Sequence, residues 1–329
     1  MEVAIVILNW NGKGLLKTFL PSIIRYSKEA TIYVADNASS DDSVDFVSTQ
    51  FPSIKIIKNM ENGGYAKGYN DALKHINADI FCLVNSDIEV TENWLTPIIS
   101  TFKSEKHTAI IQPKILDYKQ KSHFEYAGAA GGYIDKYGYP FCRGRIFNTI
   151  EVDNGQYNND SEIFWASGAC FFIRATVFNT LKGFDESFFA HMEEIDLCWR
   201  ANNLGYTSKY VHQSTVYHVG GATLNATNPR KTYLNFRNSL FTLTKNASGV
   251  IIFLLFSRLV LDGLASIKFL FSFKFGHIMA ILKAHFSFYI NLPRLLKQRK
   301  QLPQTKSYYK ITSIVWLYYV NKKKLFSRL

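Results

Sequence analysis

Between residues 3 and 111, short apolar runs alternate with stretches of helical periodicity, an order that constrains the chain to an α/β fold of βαβ units with helices on both faces of a mostly parallel sheet. Residues 3–8, 32–35, 54–57, 80–84 and 108–111 are the expected strands. Residues 13–27, 41–50, 65–77 and 92–102 are the expected helices. The 80–84 run lies between Asp79 and Asn85, is too short to cross a membrane and reads as a strand buried on both faces. Residues 117–162 are rich in Gly, Tyr, Asn and Asp without periodicity, and are expected to form a long, partly mobile surface loop. Regular structure is expected to resume with a strand over 163–173 interrupted by Gly168, then a short helix over 174–181. A helix over 193–204 stopped by Gly205 and a last strand over 208–219, ending in His218-Val219-Gly220-Gly221, complete this part.

Charge divides the chain near residue 230. Positions 230–329 hold 18 Lys and Arg against one acid, Asp262, whereas positions 1–229 hold 20 basic and 25 acidic residues. The excess positive charge therefore belongs to the second part, which points to nucleic acid or anionic lipid as a partner. In that part, residues 250–256 are wholly apolar, but Arg258, Asp262 and Lys268 interrupt the next stretch, so an uncharged span of about 20 residues is absent. Helices with Phe, Leu and Ile on one face and Lys or Arg on the other favour the membrane interface. Arg294, Lys297, Arg299, Lys300 and Lys322-Lys323-Lys324 favour anionic lipid. The alternative is a helical subdomain packed on the first part with its charges solvated. Nucleic acid is not expected, because the aromatic residues are embedded in apolar runs and no recognition motif is present. Met1 leads directly into the first strand with no basic region and no cleavage site, so the protein is expected in the cytoplasm, peripheral on the inner face of the cell membrane. Cys82, Cys142, Cys170 and Cys198 lack metal-ligand spacing and read as reduced core residues.

Polar groups gather just past the expected strands, where ligands sit in open α/β sheets. Asn9-Trp10-Asn11-Gly12 follows the first. Asp36-Asn37 follows the second, where Asp36 can accept from a base N–H or a ribose hydroxyl; Ser40 or Asp41 beyond it reads as a helix N-cap. Asn62-Gly63-Gly64-Tyr65-Ala66-Lys67-Gly68-Tyr69-Asn70 is a glycine-rich approach to a helix N-terminus, which attracts phosphate. Asn85-Ser86-Asp87 suits a hard divalent cation that also binds substrate phosphates, or an ordinary turn. Glu193-Glu194-Ile195-Asp196 places three acids in the first turn of a helix. The helix dipole alone accounts for them, yet acids beside Phe188-Phe189 also suit a base whose pKa is raised by partial burial.

Taken in order, these motifs resemble those of family 2 glycosyltransferases of the GT-A fold, particularly the bacterial rhamnosyltransferase-like branch. The similarity runs through Val6-Ile7-Leu8-Asn9-Trp10-Asn11-Gly12, Asp36-Asn37-Ala38-Ser39-Ser40-Asp41, Glu61-Asn62-Gly63-Gly64, Asn85-Ser86-Asp87, Gly168-Ala169-Cys170, Gly183-Phe184-Asp185-Glu186, Glu193 to Arg200 and His218. The resemblance implies a catalytic domain over 1–240 followed by a basic, amphipathic helical region over 241–329. It implies that Asp36 contacts the nucleotide, that Asp87 binds Mg2+ or Mn2+ through the family's DxD-like element, here with Asn85 in the first position, and that His218 completes the metal or diphosphate site. Asn9, Asn37, Asn62, Gly63, Gly64, Asn70 and Asn85 join Asp36 as expected donor-binding residues. Glu194 takes the place of the catalytic base, with Glu193 and Asp196 as alternatives. With one base and no nucleophile, the expected reaction is inverting transfer of a sugar from a nucleoside diphosphate to a hydroxyl of a saccharide or lipid-linked saccharide, in cell-surface polysaccharide or glycolipid assembly. A nucleotidyltransferase and a catalytically inactive, membrane-tethered sugar-nucleotide-binding protein are the alternatives.

Overall fold

The computed structural model describes residues 1–220, 228–305 and 307–329, so Gly221 of the expected terminal glycine pair lies outside the described residues. The first part alternates as its sequence pattern requires: β1 (Val3–Asn9), α1 (Lys13–Tyr26), β2 (Ala30–Asp36), α2 (Ser43–Gln50), β3 (Lys55–Lys58), α3 (Gly64–Leu73), β4 (Ile80–Asn85), β5 (Ile88–Val90), α4 (Leu95–Ser104) and β6 (Thr108–Asp117). β1 pairs in parallel with both β2 and β4, and β2 with β3. Ala4 and Val6 of β1 enter one core while Val3, Ile5 and Ile7 enter the other, which is why this strand carries no polar residue before its end. At the head of α2, Asp42 occupies the N-cap without a side-chain cap, in place of the expected Ser40 or Asp41; Asp41 instead accepts from Ser43.

Residues 117–162 are not a surface loop. They hold a second, four-stranded antiparallel sheet of β7 (Gly132–Ile134), β8 (Pro140–Cys142), β9 (Arg145–Ile146) and β10 (Thr149–Ile150), with Phe124, Ile134, Phe141, Cys142 and Ile146 buried. Strands of two or three residues are too short to display alternation, so periodicity gave no sign of them. The expected 163–173 strand is likewise two strands, β11 (Ser161–Ile163) and β12 (Cys170–Arg174), on different parts of the main sheet. β12 runs antiparallel between β4 and β6, having arrived from the insert without a crossover helix. Then come α5 (Ala175–Thr180), α6 (Glu193–Asn203) and β13 (Thr207–His218), the last parallel to β6. The sheet order is β11-β13-β6-β12-β4-β1-β2-β3, with β5 on β13.

Toward the end of the chain lie α7 (Pro229–Asn246), α8 (Ile251–Phe271), α9 (Phe275–Gln301) and α10 (Ile314–Tyr319). Asn228 caps α7 by accepting from the Arg230 amide, with Pro229 in the first turn. α7 packs on α6 and α9 and runs unbroken across residue 240. α8 reverses the expected polarity. Its charged pair, Arg258 and Asp262, is buried rather than solvated, while Phe253, Phe256, Val260, Leu264, Ile267 and Phe271 are exposed. Among the described residues, no helix is long and apolar enough to cross a membrane.

Candidate active site

The register of β1 and β2 sets Asn9 opposite Asp36 at the carboxyl edge of the sheet. Both are buried, and Asn9 Nδ2 donates to Asp36 Oδ1 at 3.0 Å and to Ser43 Oγ at 2.9 Å. Asp36 Oδ2 accepts from the Ser39 amide at 3.0 Å. Asn37 carries the network to the glycine-rich segment: its Nδ2 donates to Asn62 Oδ1 and to the Gly64 carbonyl, each at 3.0 Å, and its Oδ1 accepts from Asn59. Gly64 has φ +73°, and a Cβ there would lie 2.5 Å from the Phe189 carbonyl, so glycine alone lets the α3 N-terminus approach so closely. Gly63 is the residue before it at the N-cap. Asn70 lies farther along α3, where its Nδ2 donates to the Phe184 carbonyl and to Glu186, and its Oδ1 accepts from the Phe184 amide. Those bonds hold the Gly183–Glu186 turn and engage both ends of the Asn70 amide.

β4 ends at Asn85 and β5 begins at Ile88, so Ser86 and Asp87 form the tight connection between them, both strand end and turn. His218, at the end of β13, sets its Nε2 3.2 Å from Asp87 Oδ1, and all three of Asp87, His218 and Glu125 are buried. On the other side of the ring, Nδ1 lies 3.2 Å from Glu125 Oε1. Burial opposes a charged imidazole, but the Glu125 charge and the bond to Asp87 outweigh it and push the His218 pKa up to about 10. Burial also acts against the Asp87 carboxylate, which His218 nevertheless holds below its usual range. Asp87 and His218 Nε2 pair directly, with the Glu125 carboxylate on the far ring nitrogen, so a divalent cation would take the place of the Nε2 proton beside Asp87 to give a carboxylate–histidine–metal arrangement. Among the described residues no three His, Cys, Asp or Glu side chains form a metal cage, so a divalent cation here would keep positions for water and phosphate oxygens. The residues fit such an ion.

The three acids at the start of α6 part company. Asp196 is fully buried and bonds Arg200 Nε at 2.8 Å, Lys245 Nζ at 3.0 Å and Asn246 Nδ2 at 2.8 Å, tying α6 to α7. Glu193 is buried with Oε2 unpartnered; burial, and then the charge of Glu194, drive its pKa well above the ordinary value. Glu194 is half-buried, and burial raises its pKa to about 7 against the opposing pull of nearby backbone amides, Gly168 among them. A Cβ on Gly168 would lie 3.7 Å from the Glu194 carboxyl carbon and 3.2 Å from the Tyr65 hydroxyl, which donates to the Gly168 carbonyl at 2.8 Å. The next residue, Ala169, accepts from the Asn85 amide at 2.9 Å, which links the Glu194 side of the site to the Asn85–Asp87 side.

Three residues had no signal in the sequence. Glu125 lies in the aperiodic insert. Asn238 and Arg237 sit on α7 and hold the segment that leads into Glu193, where Phe189, His191 and Met192 adopt left-handed φ of 64°, 69° and 73°. Such non-glycine conformations cost about 1–3 kcal/mol each. Asn238 Nδ2 donates to the carbonyls of Phe188, Ala190 and His191, and Arg237 to those of Ser187 and Phe188.

A nine-stranded mixed sheet with its polar cluster at the carboxyl edge is the GT-A glycosyltransferase architecture. The chain shares it with a mannosyltransferase from Pyrobaculum calidifontis solved with GDP-Man and Mn2+ (TM-score 0.55, 10% identity, 91% of this chain and 84% of that one). GalNAc-T7 with UDP, GalNAc and Mn2+ shares it as well (TM-score 0.57, 15% identity, 74% of this chain and 48% of that one). The family model "Glycosyl transferase family 2" matches residues 4–181, more than half of the chain, and the protein belongs to that family. It is similar to the N-acetylglucosaminyl-diphospho-decaprenol L-rhamnosyltransferase of Mycobacterium tuberculosis, 21% identical over 65% of this chain and 75% of that protein. It is also similar to the rhamnosyltransferase WbbL of Escherichia coli K12, 22% identical over 64% and 80%. Membership of this family removes the nucleotidyltransferase alternative.

Proposed function

We propose that the protein moves a sugar from a nucleoside diphosphate to a hydroxyl of a saccharide or lipid-linked saccharide, with inversion, in cell-surface polysaccharide or glycolipid assembly at the anionic cytoplasmic face of the membrane. The observation that carries the reading is Glu194, a half-buried carboxylate whose pKa of about 7 fits a general base, beside Gly168, whose neighbour Ala169 accepts from the Asn85 amide. The bound UDP and GDP-Man of the fold relatives, and the lipid diphosphate in the name of the mycobacterial protein, support the donor and acceptor classes.

In this reading Asn9, Asp36, Asn37 and Asn62 orient the nucleotide, while the Gly63-Gly64 approach to α3 turns amide donors toward the diphosphate. Asp87 and His218 Nε2 would hold Mg2+ or Mn2+, with Glu125 fixing the imidazole through Nδ1. A cation bound there supplies charge neutralisation to the departing diphosphate. Glu194 takes the acceptor hydroxyl proton as that oxygen bonds to the anomeric carbon, and the bond from that carbon to the diphosphate oxygen breaks with its electron pair leaving on the nucleoside diphosphate. Asp196 is locked in ion pairs and Glu193 is buried, so neither serves as a nucleophile and the configuration inverts.

Glu194→Gln is expected to keep donor affinity, measured by calorimetry, and to lower transfer by the roughly 10²–10⁴-fold typical of a lost base. Selective loss in Glu193→Gln with normal transfer in Glu194→Gln would reassign the base. Donor binding without turnover in the wild-type protein would favour the inactive sugar-nucleotide-binding alternative.

A further inference from the structure

α8 is an inside-out helix. Phe253, Phe256, Val260, Leu264, Ile267 and Phe271 succeed one another at three- and four-residue spacing, a single stripe along the helix, and all are exposed. The opposite side carries Leu255, Arg258 and Asp262, all buried. The polar pair is fully served there. Arg258 Nε donates to Asp262 Oδ1 at 2.8 Å, its guanidinium also reaches Ser239 Oγ and the Tyr137 carbonyl, and Tyr139 and His285 complete the Asp262 carboxylate. A helix that spends its charges inward and turns its phenyl rings to solvent is built for an apolar partner, because burying the pair is costly and exposing the stripe forfeits the hydrophobic gain.

The surroundings identify that partner. The stripe leads at one end into the turn before α9, where Phe271, Phe273 and Phe275 are exposed around Lys274. Beside its middle, α10 contributes the exposed Trp316, and a cavity of about 700 Å³ lined by Phe256, Val260, Leu261, Trp316 and Leu317 opens between the two helices. The charged residues around this face are cationic: Lys268, whose Nζ donates to Tyr319 of α10, then Lys274, and Lys322 and Lys324 just past α10, with no acid anywhere after Asp262. A second copy would bring these lysines against one another. A bilayer with anionic headgroups satisfies both the phenyl stripe and the cationic rim, and α8 lies along such a surface rather than crossing it.

We infer that the α8 stripe, the 271–275 turn and Trp316 together form the surface that enters the headgroup–acyl boundary of an anionic bilayer, with the Arg258–Asp262 pair as the internal device that keeps the apolar side facing out. The inference names the partner surface of the transferase proposed above, and its test needs neither donor nor acceptor. The four native cysteines are buried, so a cysteine introduced on the surface is the accessible thiol for an environment-sensitive nitrobenzoxadiazole label. Full-length Phe253→Cys and Phe271→Cys proteins, labelled and mixed with vesicles of phosphatidylcholine containing about 30% phosphatidylglycerol, are expected to show brighter, blue-shifted emission quenched by doxyl lipids. The same label at Met60→Cys, exposed on the catalytic part, is expected to show no change. Phe253→Ser combined with Phe256→Ser should lower vesicle flotation by about tenfold or more, as loss of two buried phenyl groups requires. The thermal unfolding midpoint of that variant in solution should stay at the wild-type level, which separates a failed surface from a misfolded protein. Absence of flotation, flotation with unchanged emission at 253 and 271, or a concentration-dependent dimer that occludes those labels without vesicles would each overturn the inference.

Discussion

The sheet edge and α8 solve opposite problems with the same residue types. At the carboxyl edge, apolar strands run inward and end in polar groups that gather there: Asn9, Asp36, Asn37 and Asp87. In α8 the polar groups are turned into the protein and the apolar ones reach out. The contrast teaches that a buried ion pair can mark a surface as clearly as an exposed charge does. Asp87–His218 is buried at the polar sheet edge, whereas Arg258–Asp262 is buried on the inner side of α8.

The sharpest way to break the comparison is to remove one acid from each pair. Asp87→Ala should abolish metal-dependent turnover, a loss of several kcal/mol of transition-state stabilisation or about 10³-fold, with the fold retained. Nucleoside diphosphate release across a Mg2+ and Mn2+ titration measures it, and wild-type rates would end the metal assignment. Asp262→Ala should act on folding instead, costing about 3–5 kcal/mol because Arg258 is left buried and unpaired. Denaturant unfolding of Asp262→Ala beside the double variant Arg258→Met/Asp262→Leu sharpens the point. The double variant should recover most of the loss; if it does not, the pair does more than orient the helix.

Smaller effects lie between the two regions. Asn238→Ala removes three hydrogen bonds to the strained segment before Glu193 and should cost about 1–3 kcal/mol of stability. It should also lower kcat while donor affinity is kept, and an unchanged kcat would show that the segment holds its shape without α7. The smallest effect is set by pH. With the Glu194 pKa raised from 4.5 to about 7, the base is ionised only above that value, so kcat should rise with pH and level off above about 7. The same shift means the folded state holds a proton that the unfolded chain releases, so the contribution to stability is complete below 4.5 and is lost as pH rises through about 7. Glu194→Gln should lack both trends.

Much of the polar sheet edge was legible because each polar group comes after a run of apolar residues, and a strand end can be counted in sequence. His218 and Asp87 were legible as ends of two strands, though nothing in the sequence said they touch. Glu125 was hidden because it lies between β6 and β7, in no strand or helix whose end could be counted, and Asn238 because its partners are carbonyls, which carry no sequence signature. Of the acids at 193–196, burial separates them in a way that a shared helix turn could not. The charges of α8 read as interruptions of an apolar stretch because sequence spacing alone does not say which side of a helix faces the protein. Position 258 and position 262 fall on one side together with Leu255, and that was countable.

The insert's small sheet has a late closing date. Its Asp135 accepts from the Ile314 amide across 179 positions of sequence, and Glu151 accepts from the Phe326 amide across 175, while Phe326 packs on Tyr133 and Phe141. β1, β2 and β4 need only the first 85 residues to pair. On a ribosome the polar sheet edge of β1, β2 and β4 can therefore pair early, whereas the insert's small sheet waits for residues 314–326 to emerge, so a chain halted before them would leave Asp135, Glu151 and the Tyr133–Phe141 face without their partners.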